Sequence, residues 1–249
     1  MPPMSDYLET AALADSFARS LRPRGRLTVP GGLLRALWRY LAEQLGEDWQ
    51  EHRKPQLAAR VQALSSWYAD RSQPLPPDPD YHAAAYAAYF VPMNFPKLEV
   101  LLPDLLRANL LKPTLRVLDL GSGPGTIGLS LIDALARIRQ LWPIEQQVPE
   151  LTLDLQQVDL DAEFVDAAHW LINYYSNQFE GVNCCLHPTV TGSLLDEAVW
   201  SQVQGKQYDL IVFCNVLNEL SMLSWPERAK LVQHYSEALA PDGTLVLVE

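Results

Sequence analysis

The segment Arg116–Leu131, RVLDLGSGPGTIGLSL, constrains the fold more than any other part of the chain. A short apolar run with β propensity stops at three closely spaced glycines, Gly121, Gly123 and Gly125, and apolar residues then resume at helical spacing. Because glycine has no Cβ, the backbone of such a turn can approach a bound ligand closely. The segment therefore predicts a strand, a ligand-binding turn and a helix over about Thr126–Gln140.

Strands and helices alternate from this segment onward. A helix that begins at Ser224, where Glu227 completes a capping box, is followed by a turn at PDG, residues 241–243. Parallel strands need helical crossovers, so the alternation predicts an α/β fold with a doubly wound, mainly parallel sheet. The second to fifth strands are predicted at LTLDLQQVDLD (151–161), VNCCLHP (182–188), YDLIVFCN (208–215) and TLVLVE (244–249).

The first 110 residues are predicted to be helical, with leucines such as Leu34, Leu41 and Leu45 at helical spacing. The proline-rich stretch QPLPPDPD, residues 73–80, excludes a regular helix and marks a connector. We therefore divide the chain into a helical N-terminal region, residues 1–80, and a second domain, residues 81–249.

The second domain is predicted to open with further helices. One starts at about Tyr81 and is interrupted in VPMNFPK by Pro92 and Pro96, because proline lacks the backbone N–H that a helix interior needs. Another is predicted over Lys97–Asn109.

The charge of the chain is unevenly distributed. The formal net charge is −11, which argues against indiscriminate binding to nucleic acid. Residues 1–42 hold six arginines against three acids, a net of +3, which leaves −14 for residues 43–249. This segment is either an RNA-facing patch or a solvated helix face. Its arginines are Arg19, Arg22, Arg24, Arg26, Arg35 and Arg39.

The cysteines predict a reduced, cytoplasmic environment. Cys184 and Cys185 are adjacent, which is a poor arrangement for a disulfide or a metal clip, and Cys214 lies in an apolar run. His187 is predicted to be a loop residue rather than a metal ligand, so no metal site is expected.

No run of 18 uncharged apolar residues exists, and no membrane-spanning helix is expected.

Two cofactor patterns overlap at the glycine turn. The letters GPGTIG satisfy the dinucleotide pattern, but such a site expects an acid about 20 residues after its last glycine. Here Asp159 lies 31 residues after Gly128. Asp119, two residues before Gly121, would also place a carboxylate beside a pyrophosphate, which is the wrong sign. Asp119 suits a ligand that carries an ammonium group, so a nicotinamide-dependent oxidoreductase is the less favoured interpretation.

The pattern Asp119-Leu-Gly-Ser-Gly-Pro-Gly125 resembles the first motif of class I S-adenosylmethionine-dependent methyltransferases. The resemblance implies a Rossmann-like methyltransferase sheet, with this loop wrapped around the methionine part of S-adenosylmethionine. The residues that it assigns to the cofactor are Asp119, Gly121, Ser122, Gly123, Pro124 and Gly125.

Two further segments resemble the cofactor-binding motifs of this family. VDLDAEFVDAA matches its second motif, which implies that Asp159 binds the ribose hydroxyls and Leu160 lies against the adenine; Asp161 is the nearest competitor for the role of Asp159. TGSLLDE falls at the adenine-flanking loop, so Ser193 and Leu194 are weaker candidates.

YDLIVFCNVLNEL resembles the strand-four motif, in which Asn215 takes the position that closes the cofactor pocket. The Asn-Pro-Pro-Tyr pattern of amino-group methyltransferases is not matched, which argues against methylation of exocyclic adenine or glutamine amides. Cys214 is expected to be an inert core thiol. Asn218 and Glu219 are the catalytic candidates, and Glu219 either acts as a base or faces solvent.

A narrower resemblance comes from the tyrosine-rich helix before LDLGSGPGT, together with NVLNEL and LVLVE. These segments resemble methyltransferase-like proteins associated with the small ribosomal subunit, including mitochondrial assembly factors. That resemblance implies methylation of ribosomal RNA, with RNA or the small subunit contacted through residues 19–39, or an assembly factor that binds the cofactor without turnover. A small-molecule methyltransferase remains open.

The same resemblance leaves three residues and the chain end with open roles. Tyr86, Tyr89 and Asn94 either border the cofactor or pack, and packing is the favoured interpretation. Members of that family carry a cysteine cluster for an iron–sulfur centre largely beyond strand five, and this sequence does not contain that region. Strand five would be an open edge, so we expect a fragment or a partner that covers it.

Overall fold

The strand, glycine turn and helix predicted around Arg116–Leu131 form the middle of the fold. The computed structural model describes residues 11–22, 25–69, 82–142 and 150–249. The helices that precede the sheet are α1 (Ala11–Leu21), α2 (Gly31–Leu45), α3 (Trp49–His52), α4 (Lys54–Ala69), α5 (His82–Glu99) and α6 (Leu102–Arg107). The following elements are β1 (Thr114–Leu120), α7 (Thr126–Leu141), β2 (Leu151–Asp159), α8 (Ala162–Ser176), β3 (Val182–Leu186), β4 (Val190–Thr191), α9 (Glu197–Val203), β5 (Tyr208–Cys214), α10 (Trp225–Ser236) and β6 (Leu239–Val248).

The strands form one sheet in the order β3-β2-β1-β5-β6, and the short β4 pairs with the end of β2. Every pair within it is parallel. The predicted doubly wound, mainly parallel α/β fold is therefore confirmed. Strand β1 has β2 on one side and β5 on the other, so the strand order reverses beside β1. In open α/β sheets, ligands bind at such a switch point.

Helices cover both faces of the sheet. Leu115 and Val117 of β1 share one hydrophobic core with α1, α2, α5, α6, α7 and α8. Leu118 and Leu120 belong to a second core with α9 and α10 on the opposite face. The helical N-terminal region therefore packs into the same core as one face of the sheet.

Helix α5 corrects the prediction that Pro92 and Pro96 interrupt it. The helix continues from His82 to Glu99 with both prolines inside. A proline in a helix interior costs about 3 kcal/mol. Here Val91, Phe95 and Leu98 around the prolines are fully buried against the common core, and this burial offsets the cost. The helix predicted over Lys97–Asn109 is reduced to the tail of α5 and the short α6.

The start of the last strand also differs from the prediction. Strand β6 starts at Leu239, so the PDG segment lies inside it rather than before it. Tyr208 pairs with Leu239 and Leu210 with Thr244, which places PDG in a bulge opposite β5. The proline-rich connector at 73–80 lies outside the described residues, as does Arg24.

A group of buried polar residues joins α1, α5, α7 and α8. Asp133 accepts a hydrogen bond from Tyr175 Oη at 2.6 Å and pairs with Arg137, which donates to the Ser20 carbonyl at 3.1 Å. Glu99 lies in the same group and is 1% exposed. Burial, the charge of Asp133 and a hydrogen bond with it raise the pKa of Glu99 to about 8, while Arg137 acts in the opposite direction.

The raised pKa of Glu99 predicts a pH-dependent effect of Glu99→Gln. The folded chain keeps the carboxyl protonated up to about pH 8, whereas the unfolded chain ionises it near 4.5. The contribution of Glu99 to the free energy of unfolding is therefore fully present below its pKa in the unfolded chain. It is lost as pH rises through its pKa in the folded chain. Relative to wild type, Glu99→Gln should gain stability between pH 5 and 8.5 in urea unfolding, whereas the exposed Glu237→Gln should show no such trend. A constant difference for Glu99→Gln would contradict this assignment.

Candidate active site

A cavity of about 350 Å³ opens at the carboxyl ends of β1, β2 and β5, at the switch point of the sheet. It is lined by Trp67, Tyr68, Tyr86, Gly121, Gly123, Asp159, Leu160, Phe164, Gly192, Ser193, Leu194, Leu195, Cys214, Asn215, Val216, Glu219, Leu220 and Met222.

The glycine turn is held against the end of β2 and against the loop after β5. The N–H groups of Gly121 and Ser122 both donate to the Val158 carbonyl, at 2.9 and 3.0 Å. Gly121 has a φ of +72°, and a Cβ there would lie 2.7 Å from the Cβ of Val216. Gly123, with a φ of +53°, faces the cavity, where a Cβ would meet the Tyr86 ring at 3.9 Å. The first glycine therefore lets two loops approach, and the second leaves room for a ligand.

Asp159 connects the two loops that border the cavity. Its Oδ2 accepts from the Gly123 N–H at 2.6 Å, and its Oδ1 accepts from the Asp161 N–H at 2.9 Å. Burial raises the pKa of Asp159, although both backbone hydrogen bonds oppose the shift. Each carboxylate oxygen has a second lone pair. Asp159 can therefore hold the loops and accept hydrogen bonds from a ligand at the same time.

Asp119 lies beneath the glycine turn and is fully buried, so it does not line the cavity wall. Neither of its carboxylate oxygens has a hydrogen bond of good geometry to any described residue. Burial raises its pKa to about 8, and the Gln157 side chain beside it on β2 acts in the opposite direction. A cationic ligand nearby would stabilise the ionised form of a buried carboxyl group that lacks such hydrogen bonds.

The other end of the cavity is apolar. Leu160 is 71% exposed at its edge, and Leu194 and Leu195 come from the loop before α9. The Ser193 Oγ accepts from the Leu195 N–H at 3.2 Å, which holds this loop in a turn. Leucines that line a cavity offer an apolar surface for a flat aromatic ligand group.

Asn215 lies where β5 meets the cavity, in the left-handed region with a φ of +58°. Its N–H donates to the Val248 carbonyl at 2.7 Å, and its side-chain oxygen accepts from Lys97 Nζ. Glu249 accepts from the Leu217 N–H at 2.8 Å. The loop after β5 is therefore fixed from α5 and from the end of β6.

Aromatic residues of α4 and α5 form the wall opposite the glycine turn. Trp67 and Tyr68 come from the end of α4, and Tyr86 from α5. His82 stacks on Phe164 with ring centroids 4.9 Å apart, and its Nδ1 lies 3.1 Å from Arg60. Helices α4 and α5 are thereby joined to the start of α8.

A second cavity of about 200 Å³ adjoins the first. The two share Tyr68, Tyr86, Asn215 and Glu219 as lining residues. The remaining lining residues of the second cavity are Phe90, Asn94, Asn218 and Glu249.

The structure brings most of the residues assigned from sequence to these cavities. Four of the residues assigned to the cofactor do not line the cavity. Asp119 is buried beneath the glycine turn, and the other three belong to the turn itself: Ser122, Pro124 and Gly125. Gly125 instead packs on α8, where a Cβ would lie 2.8 Å from Ile172 Cδ1. The lining residues among those assigned are Gly121, Gly123, Asp159, Leu160, Ser193, Leu194, Asn215, Asn218 and Glu219.

Sequence reasoning missed Trp67, Tyr68, Phe90 and Met222, because no motif marks them. Tyr86 and Asn94, for which packing was the favoured interpretation, line the cavities, whereas Tyr89 is 44% exposed beside them. The clue available in the sequence was the series of aromatic residues in the helix before β1.

The comparison with protein families decides the class of this site. A family model described as a methyltransferase domain matches residues 49–249. The chain belongs to the methyltransferase-domain family. Residues 49–249 therefore form a methyltransferase domain.

This chain spans only part of the length of the proteins to which it is similar. Highly reducing polyketide synthase 40 of Fusarium pseudograminearum is 28% identical over 57% of this chain, which spans 5% of that protein. An O-methyltransferase family protein from Burkholderia thailandensis has a TM-score of 0.44 and 19% identity, over 87% of this chain and 52% of that one. A TehB-like methyltransferase from Corynebacterium glutamicum has a TM-score of 0.32 and 22% identity, over 53% of each chain.

The cavity fits S-adenosylmethionine on its own chemistry. The carboxyl group of Asp119, whose oxygens have no hydrogen bond of good geometry to any described residue, lies beneath the turn that would hold the amino-acid end. Asp159 has free lone pairs for two hydroxyls, and the exposed Leu160 flanks the apolar end.

Within the described ranges, no helix has the length and apolar character needed to cross a membrane.

Gly121→Ala should destabilise the methyltransferase by more than backbone strain alone. Gly205 has a similar φ of +77° but no atom within 4 Å of an added Cβ, so Gly205→Ala isolates the strain of about 1–2 kcal/mol. Gly121→Ala adds a clash with the Val216 side chain to this strain. Combining it with Val216→Gly, which removes that side chain, should recover part of the lost stability. Urea unfolding of the three variants and the double variant checks this. Equal losses for Gly121→Ala and Gly205→Ala would contradict the close approach.

Asp159→Asn should weaken binding of S-adenosylhomocysteine by about 10- to 100-fold, since hydrogen bonds to a charged acceptor contribute about 1.5–3 kcal/mol. Asp48→Asn, whose carboxylate is 66% exposed just before α3, serves as the control. Calorimetric titration measures both variants, with NAD titrated in parallel as a ligand that should not bind. Unchanged affinity in Asp159→Asn would remove Asp159 from the cofactor site.

Proposed function

We propose that this methyltransferase transfers the methyl group to a small organic acceptor held in the second cavity. The observation that carries the proposal is the wall of Tyr68, Tyr86, Asn215 and Glu219 that the two cavities share. A donor in one cavity and an acceptor in the other would meet at this wall. Methyl transfer is an in-line displacement, so alignment of the two reactants supplies much of the catalysis.

Glu219 is the residue that we propose as the general base. It lines both cavities and is half-buried, and its charge is one of the causes that raise the pKa of Tyr86, of which burial is the largest. S-adenosylmethionine supplies an electrophilic methyl group when it is bound. We propose that Asn218 orients the acceptor beside Glu219 and that Asn215 borders both ligands.

The placement of the arginines supports a small acceptor over RNA. Ser20, beside Arg19, accepts a hydrogen bond from Arg137 near the C-terminal end of α7. The glycine turn lies at the other end of that helix, about 16 Å away along the axis. Gly32, near Arg35, packs on Tyr175 at the C-terminal end of α8. Arg19 and Arg35 thus lie near the ends of α7 and α8 that are remote from the cavities.

The ribosomal resemblance provides the alternative proposal. Its support is the net positive segment 19–39, which would bind RNA or the small subunit in an enzyme acting on RNA or in an assembly factor without turnover. Within this segment, Arg39 pairs with Glu43 at 3.2 Å and with Glu47 at 2.9 Å, which reduces its positive charge. A cytoplasmic location remains a prediction under either proposal.

The similarity to a polyketide synthase also favours a small organic acceptor. That similarity covers 143 residues of this chain and is independent of the cavity geometry.

Product analysis with S-adenosylmethionine tests the proposal. The purified chain is incubated with a panel of alcohols, thiols, amines and β-dicarbonyl compounds, or with small-subunit ribosomal RNA, and formation of S-adenosylhomocysteine and methylated product is measured. We expect transfer to at least one small molecule, and a loss of about 10²- to 10⁴-fold in kcat for Glu219→Gln but none for Glu237→Gln.

Two outcomes would overturn the proposal. Transfer confined to RNA would favour the ribosomal alternative. Tight binding of S-adenosylhomocysteine with no transfer to any member of the panel or to RNA would favour an assembly factor without turnover.

A further inference from the structure

We infer that the acceptor is a small amine, bound in the second cavity as its ammonium cation. The inference rests on the proposed function and narrows it to one class of acceptor. It is drawn from the rings, carboxylates and amides that line this cavity, of which only Asn215 was assigned to the cofactor from sequence.

Three aromatic rings form one side of the second cavity. Tyr68 lies against Phe90 and Tyr86, with ring centroids 5.1 and 6.1 Å apart, and Tyr86 lies 4.8 Å from Phe90. The faces and edges of these rings are held by contacts with one another, so the wall is preformed. Aromatic walls of this kind bind ammonium groups through cation–π attraction.

Carboxylates form the other charged part of the cavity. Glu219 and Glu249 both line it, whereas no lysine or arginine among the described residues does. The nearby Lys97 donates to the Asn215 side chain. A cation placed between the rings and these two carboxylates would gain from both, while an anionic acceptor would be repelled.

Amide groups complete the cavity with hydrogen-bond acceptors. Asn94, Asn215 and Asn218 line it, and each side chain contains a carbonyl oxygen with two lone pairs, although the oxygen of Asn215 already accepts one hydrogen bond from Lys97. An ammonium group has up to three N–H donors to satisfy, whereas a hydroxyl has one. The cavity therefore matches the donor count of an amine better than that of an alcohol.

The transfer step balances with Glu219 as the proton acceptor. The ammonium group of the acceptor gives one proton to the Glu219 carboxylate and becomes a neutral amine with a free lone pair. The nitrogen lone pair forms the new N–C bond while the methyl–sulfur bond breaks, and that electron pair stays on sulfur. The product is a methylated ammonium ion beside neutral S-adenosylhomocysteine, and Glu219 then releases its proton to solvent.

Glu219 and the aromatic rings could instead contact the cofactor, and that role predicts a different effect of Glu219→Gln. If Glu219 and the rings served the positive sulfonium of the cofactor, Glu219→Gln would weaken S-adenosylmethionine but not S-adenosylhomocysteine, and acceptor binding would not change. If they serve the acceptor, the variant should lose the preference for amines over alcohols of the same shape.

The test uses matched amine and alcohol pairs. Benzylamine and benzyl alcohol, phenethylamine and 2-phenylethanol, and butylamine and butanol are each titrated into the chain saturated with S-adenosylhomocysteine. We expect at least one amine to bind about 10-fold tighter than its alcohol. Glu219→Gln and Tyr68→Leu should each reduce this ratio, Glu219→Asp should keep part of it, and Glu237→Gln should leave it unchanged. Thermal unfolding and the affinity for S-adenosylhomocysteine confirm that each variant is folded.

The outcomes separate this inference from the proposed function. Equal binding of each pair, a preference for the alcohols, or no binding of any probe by the saturated chain would overturn the amine assignment. Methyl transfer to an alcohol, a thiol or a carbon acid would leave the proposed function intact while removing the amine. A selective loss of S-adenosylmethionine affinity in Glu219→Gln, with the amine preference kept, would assign the carboxylate to the cofactor.

Discussion

One carboxylate side chain holds the two loops on which the cofactor cavity depends. Asp159 accepts one backbone N–H from the glycine turn after β1 and one from the loop after β2, at 2.6 and 2.9 Å. The parallel pairing of β1 with β2 already brings both loops to the same edge of the sheet. The carboxylate then sets their separation, and its remaining lone pairs face a ligand. The ligand-binding geometry therefore follows from a contact that the fold itself requires.

The helices before the sheet form part of the site as well as part of the core. Leucines of α1 and α2 share a hydrophobic core with β1 and β2, and α5 is buried in it through Phe95 and Leu98. This burial fixes the position of Tyr86, which lines both cavities. Contacts made far from the cavity thus set the shape of its aromatic wall, because packed interiors transmit displacement.

Local sequence patterns predicted the elements that carry strong periodicity. The helix after the glycine turn was predicted over Thr126–Gln140 and spans Thr126–Leu141, and the strand at 208–215 was found as Tyr208–Cys214. Helix α5 was predicted to break at its prolines because the tertiary burial that stabilises it has no local signal. The contributions of Tyr68 and Phe90 to the site depend on helix packing, so no motif marks them. Sequence motifs thus marked residues after β1, β2 and β5 that line the cavities, whereas the aromatic wall from α4 and α5 became visible only in the structure.

The carboxyl groups around the site differ in environment, and the difference separates their roles. Asp119 is wholly buried, and its raised pKa of about 8 means that an uncharged form is accessible near neutral pH until a cation binds above it. Asp159 is also buried, which raises its pKa, while two backbone N–H groups act in the opposite direction by donating to its carboxylate. Glu219 is half-buried and lines both cavities, so it can exchange a proton with solvent and with an acceptor. In the proposed function, Asp119 would respond to a cation and Glu219 would move a proton, while Asp159 holds the two loops.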